Sequence, residues 1–254
     1  MTELEETRPP PTAAVVADMA IDQGLRRFML GIYNKVALGL VLSAGLAYVT
    51  SSVPTARDLM FKTVASEGAS AVTGLTVLGS LVAVAPIFML LGVSFARRKP
   101  TPRATSLLYW SVVAAVGASL GVLVLAFTGA SIATTLAISG AAFGGLSLFG
   151  YATRRDLTAV GSFLTVGLIG LLVALGVNIF LHSPAVAFVA NLVGVGVFAG
   201  LIAYDTQRLK LGYSQVGDDP DALSIASSYG ALNLYLNFIN LFQFLLMMMS
   251  GGRR

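Results

Sequence analysis

The chain has no cysteine and a single histidine, His182. Disulfides and thiolate metal centres are therefore excluded, as is any metal site built from clustered histidines. Charge is scarce too. Only 11% of the residues are Asp, Glu, Lys or Arg and 56% are hydrophobic, whereas soluble domains carry about 25% charged residues. That balance belongs to an integral membrane protein, with the lipid bilayer as its first partner. The net charge of +4 arises from basic residues scattered between apolar runs, so no contiguous basic patch for nucleic acid is present. There is no Gly-rich phosphate loop, nucleophile elbow or HExxH zinc-protease motif. A basic n-region leading into a short apolar core is also lacking, so no signal peptide is expected. The acidic, Pro-containing start, TELEETRPPP, reads as part of a flexible tail over residues 1–25.

Long apolar runs fill the rest. Seven are candidates to cross a membrane: residues 36–53, 72–95, 107–127, 132–151, 158–181, 185–204 and 230–249. A spanning helix needs about 20 apolar residues for a hydrocarbon core of roughly 30 Å. Lipid cannot satisfy open backbone groups, so these segments must be helices. The period-2 alternation of a membrane barrel is absent. The sequence therefore predicts an all-α integral membrane protein with seven transmembrane helices, forming a single domain over residues 26–254.

Basic residues set the orientation. Arg8, Arg26, Arg27, Lys35, Arg97, Arg98, Lys99, Arg103, Arg154, Arg155, Arg208 and Lys210 fall on one side, and Arg57, Lys62, Arg253 and Arg254 on the other. The N-terminus is predicted to be cytoplasmic and the C-terminus to lie opposite. Three GxxxG steps (Gly117 and Gly121, Gly140 and Gly144, Gly196 and Gly200) are read as packing between helices of the chain, with a dimer face as the alternative. Pro86 is expected to kink the second span.

Ionisable groups near the membrane are costly and mark functional positions. Eleven of the twelve acidic residues fall in the N-terminal segment or the loops, and the remaining one, Asp205, ends the sixth span in AYDTQRLK. It either pairs with Arg208 one helical turn on or is a buried carboxylate facing a polar path. Asn233, Asn237 and Asn240 lie on one helical face of the last span, extended by Gln243. That stripe is either interhelical glue or the lining of a pore. Asn178 and Asn191 are isolated and are read as glue. The acidic DDPD at 218–221 lacks EF-hand ligand spacing and reads as a turn and helix cap. TRRD at 153–156 reads as a short cytoplasmic turn, and His182 as a solvated loop residue. An intramembrane hydrolase needs two carboxylates, or Ser with His or Lys, so no enzyme activity is expected.

Four stretches carry a resemblance: AIDQGLRRFMLGIYNKVALGLVLSAGLAYV, FGYATRRDLTAVGSFL, AYDTQRLK and LYLNFINLF. Together with seven spans they resemble the Bax inhibitor family, in the style of a bacterial, inner-membrane member. The resemblance implies a last helix that is central and wrapped by the other six. It also implies a pH-sensitive calcium leak, with calcium as the transported ion rather than a cofactor. In the family, two aspartates of the last two helices form a pair at the cytoplasmic end of the pore, and they match Asp205 and position 237. Position 237 here is Asn. Two carboxylates sharing a site cannot both ionise cheaply and titrate as a unit. With Asn237 the like-charge repulsion vanishes; its amide can donate to Asp205 and favour the ionised form, while desolvation favours the neutral one. Gating is thus expected to rest on Asp205 facing Asn237, with Asn233, Asn240 and Arg208 along the path and Asp205 as the residue that meets a metal cation. The resemblance also links bacterial relatives to an ATP-dependent membrane protease. A non-conducting modulator or substrate of such a protease, read through the N-terminal tail, is the competing function. A proton-coupled transporter would show inverted repeats and broken helices, and neither is evident.

Overall fold

The computed structural model describes residues 23–66, 69–95, 99–217 and 219–250. Most of the N-terminal tail, Arg8, Glu67, Arg97, Arg98, Asp218 and the terminal Arg253 and Arg254 lie outside the described residues. In chain order the elements are α1 (Gln23–Ser52), α2 (Pro54–Met60), β1 (Phe61–Ser66), β2 (Ala69–Leu75), α3 (Val77–Phe95), α4 (Pro102–Ser119), α5 (Gly121–Ala126), α6 (Gly129–Ala152), α7 (Thr158–Leu181), α8 (Pro184–Val216) and α9 (Pro220–Ser250). The protein is nearly all-helical, and six stretches are long and apolar enough to cross a membrane: α1, α4 with α5, α6, α7, α8 and α9. The remaining candidate, α3, is a shorter apolar helix with Pro86 inside it.

The all-α reading holds, with three departures in detail. Strands β1 and β2 form a short antiparallel hairpin with an irregular register between Lys62 and Thr63. The β-branched residues of KTV and AVT favour extended chain there, so the second apolar run begins in a strand and its helix starts only at Val77. The third run is interrupted at Leu120, between α4 and α5. Finally, α1, α8 and α9 reach well beyond their apolar cores. A helix continues into polar sequence while neighbours supply packing, and at the start of α1 Leu25 is fully buried.

Local chemistry sets several ends. Thr101 and Thr128 cap α4 and α6 by accepting from Ala104 N and Ser131 N at 3.3 and 3.2 Å. His182 ends α7 in the left-handed region and is exposed. Asn178 accepts from Ser183 N at 3.0 Å, so it shapes the α7–α8 corner rather than bridging helices.

Helix α9 is the centre. Within its apolar window 61% of the residues are buried, against 11% for α7. Its main neighbours are α8, α1, α6 and α4. Helix α3 packs chiefly on α4, and α7 on α8. One core joins Leu234, Tyr235 and Phe238 of α9 to Ile32 of α1 and Val112 of α4. A second joins Leu241 and Leu245 of α9 to Ile202 of α8 and Leu171 of α7. Buried hydroxyls stitch the first core: Ser43 and Tyr235 share a hydrogen bond at 2.7 Å, and Tyr109 donates to Lys35 O at 2.6 Å.

Small residues set the close approaches. A side-chain carbon at Gly117 would run into Ser43, and one at Gly121 into Thr50, so that GxxxG step packs within the chain. Around Gly140, Gly144 and Gly196 nothing lies within 4 Å. At Gly150 the backbone of Ala203 passes so close that a side chain would collide with its carbonyl. Gly150→Val should therefore push α6 off α8 and cost about 1–3 kcal/mol, read as a lower Tm in detergent. Gly144→Val, placed in open space, should leave Tm nearly unchanged.

Candidate functional site at the junction of the last two helices

The site is built by a helical hairpin. Helix α8 runs past its apolar stretch to Val216, and Gly217, at φ +66°, turns the chain. Asp219 then starts α9, its Oδ1 accepting from Asp221 N at 2.9 Å and Ala222 N at 3.4 Å. Of the described acidic residues here, Asp219 thus serves as the cap. Because the turn is short, the two helices lie side by side and bring residues 205 and 237 together.

Asn237 Nδ2 donates to Asp205 Oδ2 at 2.7 Å. Asn237 is buried at 7% exposure, and Asp205 is half-buried. The amide replaces water that burial removes from one carboxylate oxygen, and a charge-assisted bond is stronger than a neutral one. Arg208 is exposed and near enough to act on Asp205 electrostatically. It closes no ion pair with it; among the described residues the ion pair formed is Arg57–Asp58, at 3.1 Å. Asp205 is thus half-buried and bonded to Asn237 rather than paired with Arg208.

The amide stripe splits into three environments. Asn233 is exposed and lines a cleft of about 440 Å³ with Asp205, Arg208, Gln207, Tyr204 and Tyr229. Asn237 points at Asp205. Asn240 turns back on its own helix, donating to Leu236 O at 2.8 Å. Of the five residues singled out from sequence, Asp205, Asn233 and Arg208 share the cleft, Asn237 lies behind it, and Asn240 is apart. No group of three or more His, Asp or Glu side chains that could hold a metal occurs among the described residues. Calcium takes six to eight oxygen ligands when caged. The cleft offers one carboxylate, Asp205, with the Arg208 guanidinium in the same lining.

Sequence reasoning missed a clamp beside the cleft. Gln207, buried and two residues after Asp205, donates to Arg155 O at 2.7 Å and accepts from Leu157 N at 2.8 Å. Lys210, also buried, donates to Tyr151 O at 2.8 Å and lies over the Tyr151 ring. Both hold the α6–α7 corner against α8, and Gly161 lets Tyr204 close over the start of α7. The available signal was two long polar side chains, three residues apart, in a helix leaving the membrane. In the same corner, Asp156 accepts from the Thr158 hydroxyl and from Thr158 N at 2.8 Å, which lowers its pKa below the ordinary value. That turn contact is present at neutral pH and is lost as pH falls through the lowered pKa.

The fold and this junction define a polytopic helical membrane protein whose last two helices share a buried carboxylate–amide pair. Residues 25–254 match the family described as "Inhibitor of apoptosis-promoting Bax1". A Caulobacter vibrioides protein is 56% identical over 237 residues, which is 93% of each chain. A Rickettsia prowazekii protein is 41% identical over 233 residues, 92% of each. Inner membrane protein YbhL of Escherichia coli (strain K12) is 35% identical over 232 residues, 91% of this chain and 94% of its own. The chain belongs to the Bax inhibitor family.

Gln207→Ala should strand Leu157 N and Arg155 O, each lost bond being worth about 1 kcal/mol net. The corner then loosens, and trypsin should cut after Arg154 and Arg155 faster than in the wild type. Unchanged cleavage would show that Gln207 does not hold the corner.

Proposed function

We propose that this protein is a pH-sensitive calcium (cation) leak of the bacterial inner membrane, with gating that rests on Asp205 facing Asn237. The observation that carries the reading is the 2.7 Å Asn237–Asp205 bond at the buried junction of α8 and α9, beside an open cleft. The kinship with an Escherichia coli inner membrane protein supports the location. In this reading α3 is the seventh span: its 19 residues are about 28 Å long at the helical rise. The N-terminus is cytoplasmic, so the Asp205 cleft opens on the cytoplasmic side.

The chemistry follows from one charge. Ionised Asp205 draws a cation into the cleft and accepts from Asn237, which ties α8 to α9. Protonation removes the attraction and weakens the tie together. A single carboxylate titrates in one step, whereas a like-charged pair releases its protons in two separated steps.

Calcium flux in liposomes between about pH 6 and 8 tests this. Asp205→Asn should cut flux about tenfold, the equivalent of 1.4 kcal/mol of lost attraction, and flatten its pH dependence. Asn237→Asp places two carboxylates that cannot both ionise cheaply at the site and should split the profile into two separated steps. Flux that ignores Asp205→Asn would remove Asp205 from the path, and an unchanged profile in Asn237→Asp would end the pairing argument.

A further inference from the structure

Helix α6 is built inside out. Its buried positions are Thr135, Ser139, Ser147 and Gly150, while Leu136, Ile138, Leu148 and Phe149 are exposed. An apolar exterior suits lipid. A polar interior does not suit a dry core, because a buried hydroxyl without a hydrogen bond is costly.

Hydroxyls in helices commonly donate to the carbonyl one turn back. Thr135 does so to Ser131 O at 2.8 Å, and Thr206 to Ile202 O at 2.8 Å. Ser139, at 0% exposure, and Ser147, at 5%, do not, and their hydroxyls close no hydrogen bond to any described group. The Tyr33 phenol faces Thr206 and Ser147 without closing a bond of ordinary geometry to Ser147. Ser147 therefore stands at the level of Asp205 and Asn237, since Thr206 follows Asp205 and Gly150 abuts Ala203. Ser139 is eight residues away, about 12 Å along the helix, toward the end where Thr135 meets Met249 Sδ at 3.6 Å.

Between the two serines, at the same four-residue spacing, sits Phe143. Its ring packs edge-on against Phe238 at 5.5 Å between centroids and against Tyr33 at 6.4 Å. Phe238 directly follows Asn237 and is buried. Phe143 also packs against both hydrophobic cores. Polar, aromatic and polar groups thus alternate along the α6–α9 seam.

We propose that the Phe143–Phe238 contact is the hydrophobic barrier of this protein's permeation path, with Ser147 on the Asp205 side and Ser139 on the far side each facing a hydrated segment. The unpartnered hydroxyls are then satisfied by water, and the two rings separate the wet segments by excluding it. Hydrophobic constrictions of this kind gate by dewetting. The inference rests on the leak reading for its ion, but water access can be measured without any ion flux.

The chain's lack of cysteine permits a direct test in membrane vesicles with a charged, membrane-impermeant methanethiosulfonate reagent. Ser147→Cys should react with reagent applied on the Asp205 face and resist reagent on the other. Ser139→Cys should show the reverse. Adding Phe143→Ala should make each cysteine reactive from both faces and raise calcium flux about tenfold or more, barriers converting exponentially into rates. Phe143→Leu, which keeps an apolar plug, should retain the wild-type sidedness and shows that the seam tolerates substitution. An unreactive Ser147→Cys, a Ser139→Cys already reactive from the Asp205 face, or sidedness unmoved by Phe143→Ala overturns the barrier whether or not the protein conducts. If sidedness behaves as expected but no variant conducts calcium, the barrier stands and the leak reading fails.

Discussion

A hydrocarbon surround supplies no hydrogen bonds, so every polar group of the bundle must be satisfied from inside it. That constraint explains why Asn237 faces Asp205 instead of lipid. It explains why Lys35, near the middle of α1 and just before its apolar run, donates to Ser227 and Ser228 of α9 at 3.1 and 3.2 Å. It also explains the buried clamp of Gln207 and Lys210. Each of these ties involves one of the last two helices. The polar groups that ordinary membrane helices avoid here record which helix faces which.

The Asp205–Asn237 bond has two roles that reinforce one another. It offsets the cost of burying a carboxylate and it locks the hairpin of α8 and α9 at one register. Gln207 and Lys210 extend that lock one turn onward, to the corner between α6 and α7. Small residues make this possible: Gly150 and Gly161 bring α6 and α7 against α8 at the level of the site.

Much of the fold was legible in the sequence. Apolar runs of about 20 residues admit only helices in lipid, and the fourth and fifth candidate runs match α6 and α7 closely. The hairpin at residues 61–75 was not legible, because a short Val- and Thr-containing stretch joined to an apolar run has no period of its own. The extensions of α1, α8 and α9 were equally hidden. Polar residues carry a helix onward only when another helix lies alongside, which hydropathy does not report. At the site, residue types and helical spacing singled out Asp205 and the asparagine stripe. They did not separate Asn233 in the cleft from Asn240 bonded to its own backbone, since side chains sharing a helical face meet different neighbours at different depths.

The sequence by itself determined the solvent, the helical class and the residues expensive enough to need a reason. These follow from composition and period, which are properties of segments. Tertiary structure alone decided the partners: Asn237 Nδ2 on Asp205, Gln207 on a loop fifty residues earlier, and the rings of Phe143 and Phe238 between two unpartnered serines. Those contacts depend on helix order, crossing and depth. Such features arise only when several segments pack at once, and no single segment carries them.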